Sequence, residues 1–261
     1  IKTFRKMSLT PPKPPQISIC TITLNNRNGL VETGRSIAAQ KYQDFEWLVQ
    51  DGGSADGSLE YLKTTKAVTQ SKTDKGIYDA MNRLIDRAAG AYLIFLNAGD
   101  RFAAPDTLEI IAETINRDKP DFIYGDAYEG IGATHSHKKA RPHTAIKRGM
   151  ITHHQAMIYA RSIIGDTHYD LQYKIAADYD FTAKILQKAQ HVQHIQNPLC
   201  VFESGGISQQ NAALGRHEQY QIRKTLNLCP PLENTMITTL QALNWQLRRF
   251  APPLYWLSKR L

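Results

Sequence analysis

The sequence predicts an α/β fold, a single domain whose mainly parallel central sheet carries helices on both faces, followed by a C-terminal helical extension. Between residues 17 and 126, short apolar runs rich in β-branched residues alternate with amphipathic stretches. This alternation is typical of strand–helix–strand units, which build parallel sheets. Residues 211–261 lack it and carry apolar residues at helical spacing. The chain of 261 residues is long enough for one sizeable core.

The elements of the first half follow from hydrophobic periodicity. Apolar runs predict strands at 17–23, 45–50, 91–96 and 121–126. Amphipathic spacing predicts helices at 30–39, 58–66, 74–90 and from Pro105 to about residue 116. Residues 1–16 contain four prolines near their end, so we expect an extended tail before the first strand.

The alternation loosens after residue 126. Residues 127–150 hold glycine, histidine and basic residues and predict a hairpin or a mobile loop. Strands are expected at 151–160 and 191–203, with an amphipathic helix at 175–189 between them. A last helix carries an apolar stripe formed by Met236, Leu240, Leu243, Leu247 and Phe250.

Basic residues are concentrated in acid-free segments. The formal net charge is +8, and residues 2–15, residues 138–148 and all positions beyond Glu233 contain no acid. Such patches suit a membrane surface, nucleotide phosphates or nucleic acid, and a basic solvated surface is the alternative. The sequence shows neither a membrane-spanning apolar run nor a secretory signal, so we expect a cytoplasmic protein.

Missing patterns disfavour several function classes. No Gly-x-Gly-x-x-Gly follows the first strand and no Walker A sequence occurs, which argues against dehydrogenases, methyltransferases and ATPases. Three widely spaced cysteines argue against a disulfide framework or a cysteine-based zinc site. The histidine spacings fit no zinc pattern either.

Polar side chains follow three of the predicted strands. They are Asn25 and Asn26, then Asp51, then the tetrapeptide 97–100 (NAGD). Ligands of parallel α/β sheets bind beyond the carboxyl ends of the strands. Asp51 could accept hydrogen bonds from a base or ribose, or it could belong to a tight turn capped by Ser54 or Asp56.

Two further acidic segments allow more than one interpretation. Asp100, helped by Asn97, could hold a divalent cation that bridges phosphate oxygens. It could equally cap the next helix or turn the chain. Asp178 and Asp180 open a predicted helix, where the helix dipole favours carboxylates, and one of them could serve as a general base. Two acids separated by one residue point in different directions, so only one can face a given substrate.

The ordered motifs resemble one known family. The segments ISICTITLNNRNG, VQDGGSADGS, DKGIYDAMNRLIDRAAGAYLIFLNAGD, HHQAMIYA, YKIAADYDF and FESGGIS occur in this sequence. They resemble the family 2 inverting glycosyltransferases of the GT-A type over about residues 17–210. The likeness is strongest to the colanic-acid, exopolysaccharide and O-antigen branch of bacterial polysaccharide synthesis.

The resemblance implies that a sugar moves from a nucleotide diphosphate sugar to an acceptor hydroxyl with inversion. Residues 17–126 would form the nucleotide-sugar half, residues 127–210 the acceptor half, and residues 211–261 a helical, basic tail. Asp178 falls on the catalytic base of the family. Donor contacts fall on Thr23, Asn25, Asp51, Asp74, Lys75 and Asn82. Acceptor-side positions are His154, Gln155, Gly205 and Gly206, and Asp100 with Asn97 falls on a site for Mg²⁺ or Mn²⁺.

Two departures from the family pattern concern the donor side. Leu24 stands where the family usually has a base-stacking tyrosine. The Asp-x-Asp region keeps only Asp100, because Asn97 and Gly99 replace carboxylates. We therefore expect weaker metal binding, and the alternative function is a catalytically weak or inactive nucleotide-sugar-binding protein.

The C-terminal tail suggests where the acceptor is located. Trp245, Phe250, Tyr255 and Trp256 accompany basic residues there, a mixture suited to anionic lipid interfaces. We expect a lipid-linked oligosaccharide acceptor and peripheral contact with the inner face of the bacterial inner membrane. The alternative is a helix that packs on the domain. Nucleic acid is not expected as a partner, because acidic motifs at the cleft would repel a phosphate backbone.

Overall fold

A computed structural model describes residues 13–131, 134–203 and 211–250 as one mixed sheet covered by helices. The strands are β1 (Ile17–Thr23), β2 (Phe45–Asp51), β3 (Val68–Ser71), β4 (Tyr92–Phe95), β5 (Arg101–Phe102), β6 (Phe122–Ile131), β7 (Thr134–Lys138), β8 (Met157–Ala160) and β9 (Val192–Glu203). The helices are α1 (Arg27–Ala38), α2 (Ser58–Leu62), α3 (Ile77–Arg87), α4 (Thr107–Asp118), α5 (Arg161–Ile164), α6 (Ala177–Lys188), α7 (Ala212–Thr225) and α8 (Pro231–Phe250).

The sheet runs in the order β3-β2-β1-β4-β8-β6-β9-β5, with β7 paired to β6. Neighbours from β3 to β4 are parallel, as are β6 and β9, whereas β8 is antiparallel to both of its neighbours. The register of β1 with β2 places Thr23 opposite Asp51, so the two strands end together. The predicted α/β class with its mainly parallel sheet is therefore confirmed.

Helices cover both faces of the sheet because successive strand residues point to opposite sides. Along β1, Cys20 belongs to one buried apolar cluster and Ile19 to the other. The first cluster includes Leu84 of α3 and Phe181 of α6, and the second includes Leu30 of α1. The buried Cys20 thiol has its pKa raised by desolvation, which fits the inert core role expected of it.

The structure departs from the sequence-based expectations at three strands. The strand expected at 151–160 is wrong over its first part, because only Met157–Ala160 is extended and residues His154–Ala156 form a 3-10 turn. The Ala156 N–H donates to the His153 carbonyl oxygen at 2.9 Å, a local turn bond that replaces strand pairing at this point. Strands β3 and β5 were not anticipated. The hairpin alternative for 127–150 is confirmed by the β6–β7 pairing.

The two C-terminal helices pack on each other around a buried arginine. Arg223 of α7 donates to Asn234 Oδ1 at 2.6 Å and to Thr238 Oγ1 at 2.8 Å, both on α8. Ile222 extends this contact into the first core cluster. The helices therefore join the main body rather than trailing from it. Within the described ranges, no helix has the length and apolar character needed to cross a membrane.

Candidate active site

A cavity of about 1370 Å³ opens where β1 and β4 end. One side of the cavity is formed by residues that follow these strands and by the start of α3. The other side is formed by residues within 150–155 and 174–178 and by the helices α7 and α8. Seven of the residues proposed from sequence line it: Thr23, Asp74, Asn97, Asp100, His154, Gln155 and Asp178. Gly205 and Gly206 lie outside the described residues.

Asp51 does not line the cavity, and its carboxylate holds a turn. The carboxylate is fully buried and accepts hydrogen bonds from the backbone N–H groups of Gly53 and Ser54, both at 3.0 Å. Ser71 Oγ donates to it as well, at 2.6 Å. These contacts agree with a tight turn after β2, the alternative that the sequence allowed. The side chain that closes the turn is Asp51 itself, whereas Ser54 or Asp56 was expected. A role for Asp51 in base or ribose recognition stays a prediction.

Three other donor-side candidates, Asn25, Lys75 and Asn82, do not line the cavity. Asn25 has a positive φ of 49° and accepts a hydrogen bond from the Ala55 N–H at 2.9 Å. The amide of Asn82 forms two bonds with the backbone of Tyr169, at 2.8 and 2.9 Å. Lys75 is exposed. Contacts of these three residues with a donor stay predictions.

The end of β1 and the tetrapeptide 97–100 form a polar corner of the cavity. Thr23 Oγ1 and Asn97 Oδ1 are buried and have no hydrogen-bond partner among the described residues. Buried polar atoms without partners are uncommon and costly, so they indicate that a bound group supplies the missing contact. The Asp100 carboxylate is nearly buried and accepts a hydrogen bond from Gln155 Nε2 at 2.7 Å. The corner therefore offers one negative charge and several oxygens.

This corner fits a divalent cation only together with phosphate oxygens. Among residues 13–131, 134–203 and 211–250, no group of three or more His, Cys, Asp or Glu residues could hold a metal by itself. Mg²⁺ commonly takes one or two protein carboxylates and completes its shell with substrate phosphates and water. Asp100 and the unpartnered Asn97 oxygen meet that smaller requirement.

Asp178 faces the cavity from the first turn of α6. Burial raises the pKa of its carboxyl to about 6, and nearby Glu218 also raises it, while the Tyr179 N–H bond at 2.8 Å acts in the opposite direction. Asp180 points elsewhere and pairs with Lys184 at 2.6 Å. As their spacing predicts, only one of the two acids meets the cavity. A carboxylate with this pKa is suited to take a proton near neutral pH.

His154 is held in the wall by neutral contacts. Its Nε2 lies 2.8 Å from the Tyr169 hydroxyl, and its ring stacks on Phe95 at 5.1 Å. Burial lowers its pKa to about 4, so the ring stays neutral at physiological pH. The following residue, Gln155, reaches Asp100. His154 and Gln155 therefore connect the wall beside Tyr169 to the polar corner.

Sequence reasoning missed Glu218 of α7. Its buried carboxylate accepts hydrogen bonds from the backbone N–H groups of Lys174, Ile175 and Ala176, at 2.7, 2.9 and 2.8 Å. It thereby fixes the segment that leads into Asp178. One signal was available, because Glu218 shares the buried helix face of Gly215 and Ile222, where an acid needs a specific partner.

The wall formed by α7 and α8 was also missed. Arg216 and Gln219 line the cavity from α7, and Gln241, Asn244 and Trp245 line it from α8. The Arg216 guanidinium lies 5.2 Å from the centre of the Trp245 ring. Trp245 was expected at a membrane interface, and it lies on the cavity wall instead. Tyr255 and Trp256 lie outside the described residues.

Known proteins resemble this chain in sequence and in fold. Residues 18–189 match glycosyl transferase family 2. A PGL/p-HBAD biosynthesis glycosyltransferase of Mycobacterium bovis (strain BCG) is 33% identical over 210 residues, covering 74% of this chain and 79% of the relative.

Two solved structures share the fold at low identity. TarS of S. aureus in complex with UDP-GlcNAc aligns with a TM-score of 0.70 at 17% identity, covering 89% of this chain and 73% of that one. A mannosyltransferase from Pyrobaculum calidifontis in complex with GDP-Man and Mn²⁺ aligns with a TM-score of 0.65 at 14% identity, covering 94% and 72%. The fold is of the GT-A type, and the chain belongs to glycosyl transferase family 2.

Proposed function

We propose that this protein moves a sugar from a nucleotide diphosphate sugar to an acceptor hydroxyl with inversion at the anomeric carbon. The observation that carries this proposal is one cavity holding both a polar corner suited to a diphosphate and the carboxylate of Asp178. The solved relatives bind nucleotide sugars, UDP-GlcNAc in one and GDP-Man in the other. The match to the family over residues 18–189 includes both features.

Each side chain has a definite task in this reaction. Asp178 accepts the proton of the acceptor hydroxyl while that oxygen attacks the anomeric carbon. The bond to the nucleoside diphosphate breaks on the opposite face of the sugar, and its electrons stay with the diphosphate. Asp100 and Asn97 would hold Mg²⁺ or Mn²⁺, which supplies positive charge to the departing diphosphate. Thr23 and Asp74, which line the cavity, would contact the donor.

A donor screen tests this proposal against the alternative of a binding protein without transfer activity. We expect one of the UDP, GDP or dTDP sugars to raise the melting temperature, because a ligand at about 100 times its Kd stabilises the folded state by about 2.7 kcal/mol. We also expect release of the nucleoside diphosphate, to water or acceptor, that increases with Mn²⁺ or Mg²⁺. A melting shift without release would favour the binding protein, and the absence of both would contradict both functions.

We also propose that the acceptor is a lipid-linked oligosaccharide of bacterial surface polysaccharide synthesis, reached at the inner face of the membrane. An apolar stripe on α8 supports this location: its members are Leu232, Met236, Leu240 and Leu243, with 85, 56, 52 and 49% of their surface exposed. An amphipathic helix of this kind lies in the membrane interface with its apolar face in the lipid. The narrower colanic-acid and O-antigen assignment stays a prediction.

Vesicle flotation tests the membrane contact. The double variant Leu240→Ser/Leu243→Ser is expected to float less than the wild type with anionic vesicles, because it removes half of the exposed stripe while leaving the core unchanged. Gln246→Ser is the matched control, since Gln246 is an exposed residue of the same helix. Equal flotation of the double variant and the wild type would exclude the stripe as a lipid contact.

A further inference from the structure

The α7–α8 wall, formed by Arg216, Gln219, Gln241, Asn244 and Trp245, differs in chemistry from the rest of the cavity. Its members recur three or four positions apart on each helix, so each helix presents one face to the cavity. Three of the five are amides, one is an indole, and none is acidic. All five lie beyond residue 189, where the family match ends. The wall therefore lies outside the segment that matches the family model.

Gln241 has hydrogen-bonding capacity that the protein does not use. Its Nε2 donates to the Arg148 carbonyl oxygen and to Gln219 Oε1, both at 3.2 Å. Both partner atoms are acceptors, so the Nε2 group of Gln241 must face them and its Oε1 must point away from them. That oxygen is buried and has no partner among the described residues. Gln241 lines the cavity, so a ligand hydroxyl that donates to this oxygen would supply the missing hydrogen bond.

The neighbouring groups favour a sugar ring as that ligand. Amide side chains both donate and accept, so they match hydroxyl groups, which do the same. The indole of Trp245 offers an apolar face with partial negative charge, suited to the C–H face of a pyranose. Arg216 is the one cation of the wall, and its guanidinium lies over Trp245. A phosphate site would need more positive charge than this wall provides.

We propose that the α7–α8 wall binds a pyranose ring of the acceptor, with a ring hydroxyl donating to Gln241 Oε1 and the ring packing on Trp245. This inference rests on the proposed transferase function and names the residues that would bind the sugar of its acceptor. The acceptor would already carry a sugar, so the protein extends a glycan instead of attaching the first residue to a lipid, phenol or protein. The reaction that supplies its substrate must then be an earlier glycosylation.

Equilibrium titration with p-nitrophenyl pyranosides of the gluco, galacto, manno and rhamno series tests this subsite, with p-nitrophenol as the probe that lacks a sugar. We expect at least one glycoside to bind the wild type. Gln241→Ala should raise the Kd of that glycoside about threefold to tenfold, the effect of losing one hydrogen bond. Trp245→Ala should raise it further, and Trp245→Phe should recover part of the loss because a ring is kept.

The matched control is Gln246→Ala, an exposed glutamine of the same helix outside the cavity wall. It should leave the glycoside Kd unchanged. Three outcomes would overturn the sugar subsite: no glycoside binds, p-nitrophenol binds as tightly as its glycosides, or Gln241→Ala has no larger effect than Gln246→Ala. A nucleotide-sugar titration of the same proteins distinguishes failure of the sugar subsite from failure of the transferase function. If the wild type binds no nucleotide sugar, the transferase proposal is contradicted. If it binds a nucleotide sugar but no glycoside, only the sugar subsite is contradicted.

Discussion

Asp178→Asn is expected to lower the rate of sugar transfer by about 10²–10⁴-fold, the range of a lost general base, while donor affinity stays unchanged. Asparagine keeps the shape of the side chain and can still accept the hydrogen bond that the Tyr179 N–H donates at 2.8 Å. It cannot take a proton from the acceptor hydroxyl. The measurements are the initial rate of nucleoside diphosphate release and the calorimetric Kd of the donor.

The pH profile identifies the cause of this loss. Only the ionised carboxylate accepts a proton, and burial raises the pKa of Asp178 to about 6. The wild-type rate should therefore fall as pH is lowered through about 6, and the residual rate of Asp178→Asn should lack that step. Asp180→Asn is the matched control, because Asp180 lies on the same helix and pairs with Lys184. Near-normal turnover of Asp178→Asn would remove this residue from the mechanism, and an equal loss in both variants would indicate a structural effect.

Asp100→Asn is expected to raise the Mn²⁺ concentration needed for half-maximal transfer at least about tenfold, because the ion would lose the carboxylate that we propose holds it. The asparagine oxygen can still accept the hydrogen bond that Gln155 Nε2 donates to the carboxylate at 2.7 Å. The variant thus removes charge while keeping the local contact. A Mn²⁺ titration of the transfer rate measures the change.

Glu60→Gln provides the control for this experiment. Glu60 is an exposed acid of α2 and does not line the cavity. Its replacement should shift neither the Mn²⁺ titration nor the maximal rate. If Asp100→Asn behaves like Glu60→Gln, Asp100 does not hold the ion, and its bond to Gln155 has only a structural purpose.

Much of the fold was predictable because burial along several strands is continuous. The seven residues of β1 are all buried, and their apolar, β-branched run predicts the observed bounds, Ile17–Thr23. Strand β3 gives the opposite case. All four of its residues are exposed, so neither an apolar run nor an alternation marks it. Its place at the edge of the sheet depends on pairing with β2, which local sequence does not encode.

The candidate site was predictable only in part, because contacts between distant segments of the chain also shape it. Polar residues after strands identified the correct edge of the sheet, and the spacing of Asp178 and Asp180 predicted that one acid would face away. Sequence could not show that the oxygens of Asp51 are taken up by Gly53, Ser54 and Ser71. The α7–α8 wall depends on packing between segments far apart in the chain, such as the contact of Gln241 with Arg148.

Glu218 connects the α7–α8 wall to the carboxylate of Asp178 through a single helix. It lies on α7 between Arg216 and Gln219, and its carboxylate holds the segment that precedes Asp178. It also raises the pKa of Asp178. An acceptor that displaces α7 on binding therefore changes the proton affinity of Asp178. Thermodynamic reciprocity then requires that ionisation of Asp178 change the affinity for that acceptor by the same factor.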